Sequence, residues 1–357
     1  MTPEEGEILA LLVHRGFVSA DRVRSLLGER QDGEELASLL ARGGVCSLAD
    51  ARRLVKNRVG ESPQLTRYEI ESKLGSGGTA HVFAAQDRED RKRVALKILR
   101  EELLHKAVAV QRFVAEAKQL CALEHPGLVQ GHRVAKDQGT IFLAMELIQG
   151  ENLEDLLLRD ERLDEDEALG VALQVAETLQ YLREQGLVHR DIKPGNLMRL
   201  PNGRVQIIDL GFAAQAGAAD GGATTVGTVQ YIAPEQARGE SDLDARADIY
   251  SLGATIYHLV TGETPFQGEG RDVLLQQVGS ELSSSRLREL GLSPTLHYFI
   301  EKMMAKDREI RFQDAGELVL ELREKVGPSG PEAPATSPSL AKRRRRTTSS
   351  RRARRRR

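Results

Sequence analysis

Between His189 and Gly211 the chain reads His189-Arg190-Asp191-Ile192-Lys193-Pro194-Gly195-Asn196, then a short turn, then Ile207-Ile208-Asp209-Leu210-Gly211. Asp191, Asn196 and Asp209 place three oxygen-bearing side chains suited to a metal-bound triphosphate in one short span. Any fold for this chain has to converge on that span from both sides.

A length of 357 residues suggests about two domains. The formal charge of −2 hides an asymmetry. Residues 342–357 hold 11 Lys/Arg and no acid, which leaves −13 on the first 340 residues. The two cysteines, Cys46 and Cys121, have neither disulfide nor metal-ligand spacing and read as buried thiols. No basic-then-apolar leader opens the chain, and no apolar run nears the ~20 residues of a membrane span. A cytoplasmic protein of a reducing compartment is expected, with nuclear import an alternative only for a eukaryotic source.

Residues 1–60 carry an internal repeat. Leu11-Leu12, Gly16, Ser19, Arg24 and Leu26 return 28 positions later as Leu39-Leu40, Gly44, Ser47, Arg52 and Leu54. Each copy reads as a helix closed by Gly, followed by a Ser cap opening a second helix. Two packed helical hairpins would form either a protein-binding module or a helical extension of the next domain. A linker is expected over 61–67.

Strands are expected at Arg67–Leu74, His81–Gln86, Arg93–Leu99, Leu128–Lys136 and Thr140–Leu147. A helix is expected over Lys106–Leu123, with Val110, Val114, Ala117 and Cys121 on its apolar face. From Asp164 the pattern turns helical. Asp164 and Glu167 form a capping box, Ala168, Val171, Val175, Leu179 and Leu182 a stripe, and Gly186 a stop. Further helices are expected at 247–261, 270–277, 294–305 and 314–325. Beyond Val326, Pro, Gly, Ser and then Arg predict a disordered tail over 326–357.

The loop Gly75-Ser76-Gly77-Gly78-Thr79-Ala80 lets backbone N–H groups approach phosphate, although a plain glycine hairpin would read the same way. In Val94-Ala95-Leu96-Lys97, alternation puts Ala95 and Lys97 on one face. There Lys97 is either a phosphate ligand or an edge lysine in solvent. An inward lysine needs a carboxylate, and Glu116, taken to lie opposite Arg112 and near the apolar face, supplies one.

Taken in order, this loop, Lys97, Glu116, His189-Arg190-Asp191 with Asn196, Asp209-Leu210-Gly211 and Ala233-Pro234-Glu235 resemble the protein-kinase signature. From about Tyr68 to Glu324 the chain resembles eukaryotic-like (Hanks-type) Ser/Thr protein kinases of bacteria. Gly227-Thr228-Val229-Gln230-Tyr231-Ile232-Ala233-Pro234-Glu235-Gln236 is especially similar to bacterial members. Two positions depart from the pattern: Ala80 stands at the third glycine and Leu210 at the usual Phe. Neither removes a charged group.

The resemblance implies an α+β, bilobal protein-kinase fold over 68–325. A β-rich N-lobe (68–148) precedes an α-rich C-lobe (149–325), with the helical extension before them and the basic tail after. It implies ATP and Mg²⁺, with Mn²⁺ an alternative, and protein substrates phosphorylated on Ser or Thr. Asp191 would take or orient the substrate hydroxyl proton, and Asn196 and Asp209 would hold metal. Lys97, fixed by Glu116, would hold the α- and β-phosphates. Lys193 would reach the γ-phosphate, a feature of Ser/Thr enzymes, and Thr228 would position the hydroxyl. Leu74, Val82, Ala95 and Met198 would sandwich adenine below the gatekeeper Met145. Gly75, Ser76, Gly77, Gly78, Thr79, Ala80 and His81 would complete the nucleotide site. Backbone at Glu146 and Ile148 would bond the base.

Arg190 would receive a phosphate from the loop before Gly227, with Thr224 and Thr225 the nearest acceptors; a loop needing no phosphate is the alternative. Asp248 would brace the catalytic loop, and Glu235 would pair with Arg311. The Arg-rich tail would contact a polyanion or simply be solvated. A pseudokinase scaffold and a polyanion-binding protein are the competing functions.

Overall fold

The computed structural model describes Leu9, Leu12 and residues 18–30, 36–45, 63–159, 161–210 and 229–326. Cys46, Ser47, Arg52, Leu54, Gly211, Thr224, Thr225, Thr228 and the tail lie outside the described residues.

In the N-terminal part, helices α1 (Ala20–Gly28) and α2 (Leu36–Arg42) are described. Ser19 caps α1, its side chain accepting from the Arg22 N–H, and Gly44 at φ 68° follows α2. Both features are what the repeat predicts. Leu9, Leu12, Val18, Val23, Leu26, Leu36, Leu39 and Leu40 close a small core of their own.

Strands β1 (Tyr68–Ser76), β2 (Ala80–Asp87) and β3 (Arg93–Leu99) follow, then helix α3 (Ala107–Ala122), β4 (Gly131–Asp137) and β5 (Thr140–Glu146). They form one antiparallel sheet in the order β1-β2-β3-β5-β4. Val82 pairs with Lys97 and Ala84 with Ala95, so these four share a face. On the other face Phe83, Ala85, Val94, Leu96, Ile98 and Phe142 form a separate apolar layer.

α3 covers the Lys97 face. Its buried residues are Phe113, Ala117 and Leu120. The expected stripe is therefore rotated, with Val110, Val114 and Cys121 at its margins. Cys121 is only partly buried. Glu116 lies one turn beyond Arg112 on the same side, not opposite it, because residues four apart share a helix face. A Cβ at Gly131 would meet the Leu120 and Cys121 backbone at 2.9 Å, so α3 and β4 meet this closely only over glycine.

The C-lobe comprises β6 (Glu151–Asn152), α4 (Leu153–Leu158), α5 (Glu165–Glu184), β7 (Leu197–Arg199), β8 (Val205–Ile207), α6 (Pro234–Ala237), α7 (Ala245–Thr261), α8 (Gly270–Gly279), α9 (Ser285–Glu289), α10 (Pro294–Met303) and α11 (Ala315–Val326). α5 carries the full Asp164–Glu167 capping box and buries its expected stripe. α7 is buried along nearly its whole length and forms the centre of the lobe.

The segment 124–130 corrects the strand expected from Leu128. Between α3 and β4 it lies on the C-lobe as a strap, and at Gln130, whose carbonyl accepts from Glu146 N–H at 2.9 Å, it enters the N-lobe sheet. Leu128 bridges Ile207 in parallel, Val129 N–H donates to Ile207 O at 3.0 Å, and Ile207 N–H donates to Gly127 O at 2.8 Å. Glu124 N–H donates to the Tyr181 hydroxyl, whose ring stacks on His125 at 4.8 Å. A Cβ on Gly127 would stand 2.0 Å from Thr178 Oγ1 on α5.

Candidate active site

Gly186, at φ 72°, ends α5 and turns the chain into His189–Asn196. Arg190 also adopts a left-handed backbone, φ 72°, a conformation costing a non-glycine residue about 1–2 kcal/mol. The bracing comes from Asp248 on the buried helix α7. Its carboxylate accepts from His189 N–H at 2.7 Å and from Arg190 N–H at 2.5 Å. Burial pushes the Asp248 carboxyl up, while His189 and these two bonds pull against that. His189 is fully buried, with its Nε2 2.5 Å from the Asp209 carbonyl oxygen. Two segments 20 residues apart are thereby fixed together.

Asp191 stands at the centre. Its Oδ2 accepts from Lys193 Nζ at 2.7 Å and from Asn196 Nδ2 at 3.0 Å. Asn196 Nδ2 donates as well to the Asp191 carbonyl at 2.7 Å. With that nitrogen committed, the Asn196 Oδ1 is the atom left for a cation. Ile208 N–H donates to the Asn196 carbonyl, which sets the loop beside Asp209.

From the N-lobe, Lys97 reaches Glu116 at 3.0 Å and also meets Asp209. Burial alone would lower the lysine, but the two carboxylates outweigh it and hold Lys97 above its ordinary value. Asp209 is kept below its ordinary range: burial raises it, and Lys97 pulls it further down. Glu116 is pushed above its ordinary value by burial and by repulsion from the neighbouring Asp209 charge, with Lys97 pulling against both. The edge-lysine reading of Lys97 therefore fails.

An amide oxygen and a carboxylate suit a hard divalent cation that takes its remaining ligands from phosphate and water. Among the described residues no group of three or more His, Cys, Asp or Glu is placed to hold a metal ion. Ala95 and Met145 are buried in the apolar cluster against which Val82 packs. Met198 and Ile148 are half-buried, Glu146 is exposed, and Leu74 is 49% exposed. Within the glycine loop Gly77 N–H donates to Ala80 O at 2.8 Å. Ser76, Gly77, Gly78 and Thr79 are exposed, Gly75 half-buried and Ala80 buried. His81 departs from the expected set. It alternates with Val82 and so lies on the sheet face away from Lys97, edge-on to Phe83 at 6.3 Å.

Glu235 and Arg311 form a buried fork, with bonds of 2.6 and 2.9 Å. Two carboxamides escaped the sequence reading. Gln236 bonds Ala233 N–H and the Arg190 carbonyl; its place three residues after Ala233, the N-cap of α6, was a usable signal. Gln277, buried on α8, donates to the Val229 and Gln230 carbonyls and accepts from the Tyr250 hydroxyl. Lys306 holds the same Tyr250 hydroxyl and the Gln276 and Gln277 carbonyls. No motif marked that network. Arg190 Nε is buried without a partner among the described residues.

The family model "Protein kinase domain" matches residues 68–319. The chain is 34% identical over 276 residues to the serine/threonine-protein kinase PknB of Mycobacterium leprae, covering 75% of this chain and 44% of that protein. It is 35% identical over 291 residues to PknA of Mycobacterium tuberculosis, covering 76% and 67%. The chain thus spans less than half the length of the PknB proteins it matches. In fold it is similar to the crystal structure of the PknI kinase domain of Mycobacterium tuberculosis. The TM-score is 0.59 at 24% identity, covering 76% of this chain and all of that one.

Proposed function

This chain belongs to the protein kinase domain family, and on that premise we propose that it transfers the γ-phosphoryl group of ATP to serine and threonine hydroxyls of proteins. The observation that carries the reading is the meeting of two triads. Lys193 and Asn196 fix the Asp191 carboxylate from one side, and Lys97 joins Glu116 to Asp209 from the other. Phosphoryl transfer demands positioning and charge neutralisation more than covalent help, and these groups supply both.

In this reading Asp191 orients the acceptor hydroxyl and takes its proton. Lys193 follows the γ-phosphoryl group, Lys97 holds the α- and β-phosphates, and Thr228 positions the acceptor. Asn196 Oδ1 and the Asp209 carboxylate hold Mg²⁺, or Mn²⁺ in its place. The bound ion supplies charge neutralisation between the phosphates. Val82, Ala95, Met145 and Met198 enclose the base, with Leu74 closing over it, and the backbone of Glu146 and Ile148 bonds its edge.

The buried Arg190 Nε, which has no partner among the described residues, supports a regulatory role for phosphate on the loop before Gly227. Thr224 and Thr225 are the proposed acceptors, filled by autophosphorylation. The N-terminal helices are proposed to take a protein partner, and the basic tail a polyanion.

The test is transfer of labelled γ-phosphate to a generic basic protein. Asp191→Asn is expected to cost about 10²–10⁴-fold in rate, and Lys97→Met to abolish measurable transfer. Activity that survives Asp191→Asn would overturn the catalytic assignment. Mass spectrometry of the same reactions is expected to find phosphate at Thr224 or Thr225 only in the active protein; full activity with both unmodified would retire the regulatory role.

A further inference from the structure

The tip of the glycine loop is gripped from the far side of the sheet. Arg100, the residue after β3, bonds this loop three times. Its backbone N–H donates to Thr79 O at 3.0 Å, its Nε to Gly77 O at 2.8 Å, and its Nη2 to Ser76 Oγ at 3.1 Å. The Ser76 hydroxyl also meets His81 Nδ1 at 2.9 Å. Burial, with Lys73 and Arg100 adding repulsion, holds His81 below its ordinary value. That favours the neutral ring, whose Nδ1 can accept a hydrogen bond from the serine hydroxyl.

A loop with two adjacent glycines is costly to order, and its own backbone closes the tip through the Gly77–Ala80 turn. The planar guanidinium offers several donors in a fixed fork, so one side chain restrains two loop residues at once. The direction of restraint matters more than its strength. The Gly77 carbonyl and the Gly78 N–H belong to one planar trans peptide and point opposite ways. Drawing the carbonyl outward onto Arg100 turns the Gly78 N–H inward, toward the cleft that holds Lys97. Backbone N–H groups so aimed are phosphate ligands.

We propose that Arg100 is a positioning residue for the nucleotide phosphates, acting through the glycine loop without touching the nucleotide. The proposal rests on the nucleotide reading above.

Its test compares two probes on the full chain by calorimetry: ATP with Mg²⁺, and adenosine, which lacks phosphates. In Arg100→Ala the ATP affinity is expected to fall about tenfold, the worth of one or two net hydrogen bonds, while adenosine affinity stays within about twofold. Arg100→Lys, able to reach one acceptor but not both, is expected to recover part of the loss. Kinetics should show the same split, with KM for ATP rising and kcat nearly unchanged. Equal loss of both probes would mean that Arg100 merely props the lobe, and loss of neither that the loop does not need it; either result overturns the proposal. A wild type that binds neither probe would overturn the nucleotide reading and this one together. A wild type that binds both but is matched by Arg100→Ala overturns this one alone.

Discussion

At single residues the structure separates groups that titrate harmlessly from groups whose charge the fold refuses. His258 on α7 is of the second kind. Its Nδ1 lies 2.7 Å from the Tyr231 hydroxyl, and burial drives its pKa from 6.5 to about 4. The folded chain thus holds fewer protons here than the unfolded chain across that interval. Stability from this group is complete above about pH 6.5 and is lost as pH falls toward 4. Wild type should lose about 2 kcal/mol between pH 7 and pH 5 relative to His258→Gln, which cannot titrate. Urea unfolding at the two pH values measures it, and parallel behaviour of the two proteins would show the ring to be solvated. None of this was legible in the sequence, where His258 is one polar residue in an apolar helix. Lys97 was legible, because its partner Glu116 came with a motif. That the same ammonium would also reach Asp209, 112 residues on, depended on how the lobes close.

At the scale of elements, long periodic segments announced themselves and short ones did not. The β3 boundaries and the α5 capping box follow directly from alternation and from Asp164-x-x-Glu167. Strands β6, β7 and β8 hold two or three residues each, too few to show a period of two, so the small sheet was missed. The strap was misread as a strand because Leu128 and Val129 are apolar whether they pair with β5 or with β8. α8 gives a testable case of one element holding another. Replacing Gln277 by Leu leaves the Val229 and Gln230 carbonyls and the Tyr250 hydroxyl short of a partner. Lys306 only donates to the Tyr250 oxygen and cannot take the place of the lost acceptor, so at about 1–3 kcal/mol for each buried group left unsatisfied a loss of about 3 kcal/mol or more is expected. A denaturation midpoint shifted by less than about 1 kcal/mol would mean that water replaces the amide.

For the whole molecule, the buried apolar side chains of the described residues fall into separate clusters. The leucines of α1 and α2 close on themselves, while the main core runs from Ala80 to Leu322. A fragment of residues 63–326 is therefore expected to unfold cooperatively, with a midpoint close to that of the full chain, and to keep transfer to a generic substrate. Retention on a polyanion resin should disappear with residues 327–357. A fragment that fails to fold would show that residues 1–62 complete the catalytic unit. No helix among the described residues is long and apolar enough to cross a membrane.

The strap gives the lobes a second crossing. One connection runs through Leu147–Gly150, where Gly150 lies so close to Arg199 that a Cβ would stand 2.6 Å from its carbonyl oxygen. The other is the ladder from Gly127 to Val129 against Ile207. Two anchored points define an axis. A change in how far Lys97 stands from Asp209 would have these two tied segments as its natural hinge points.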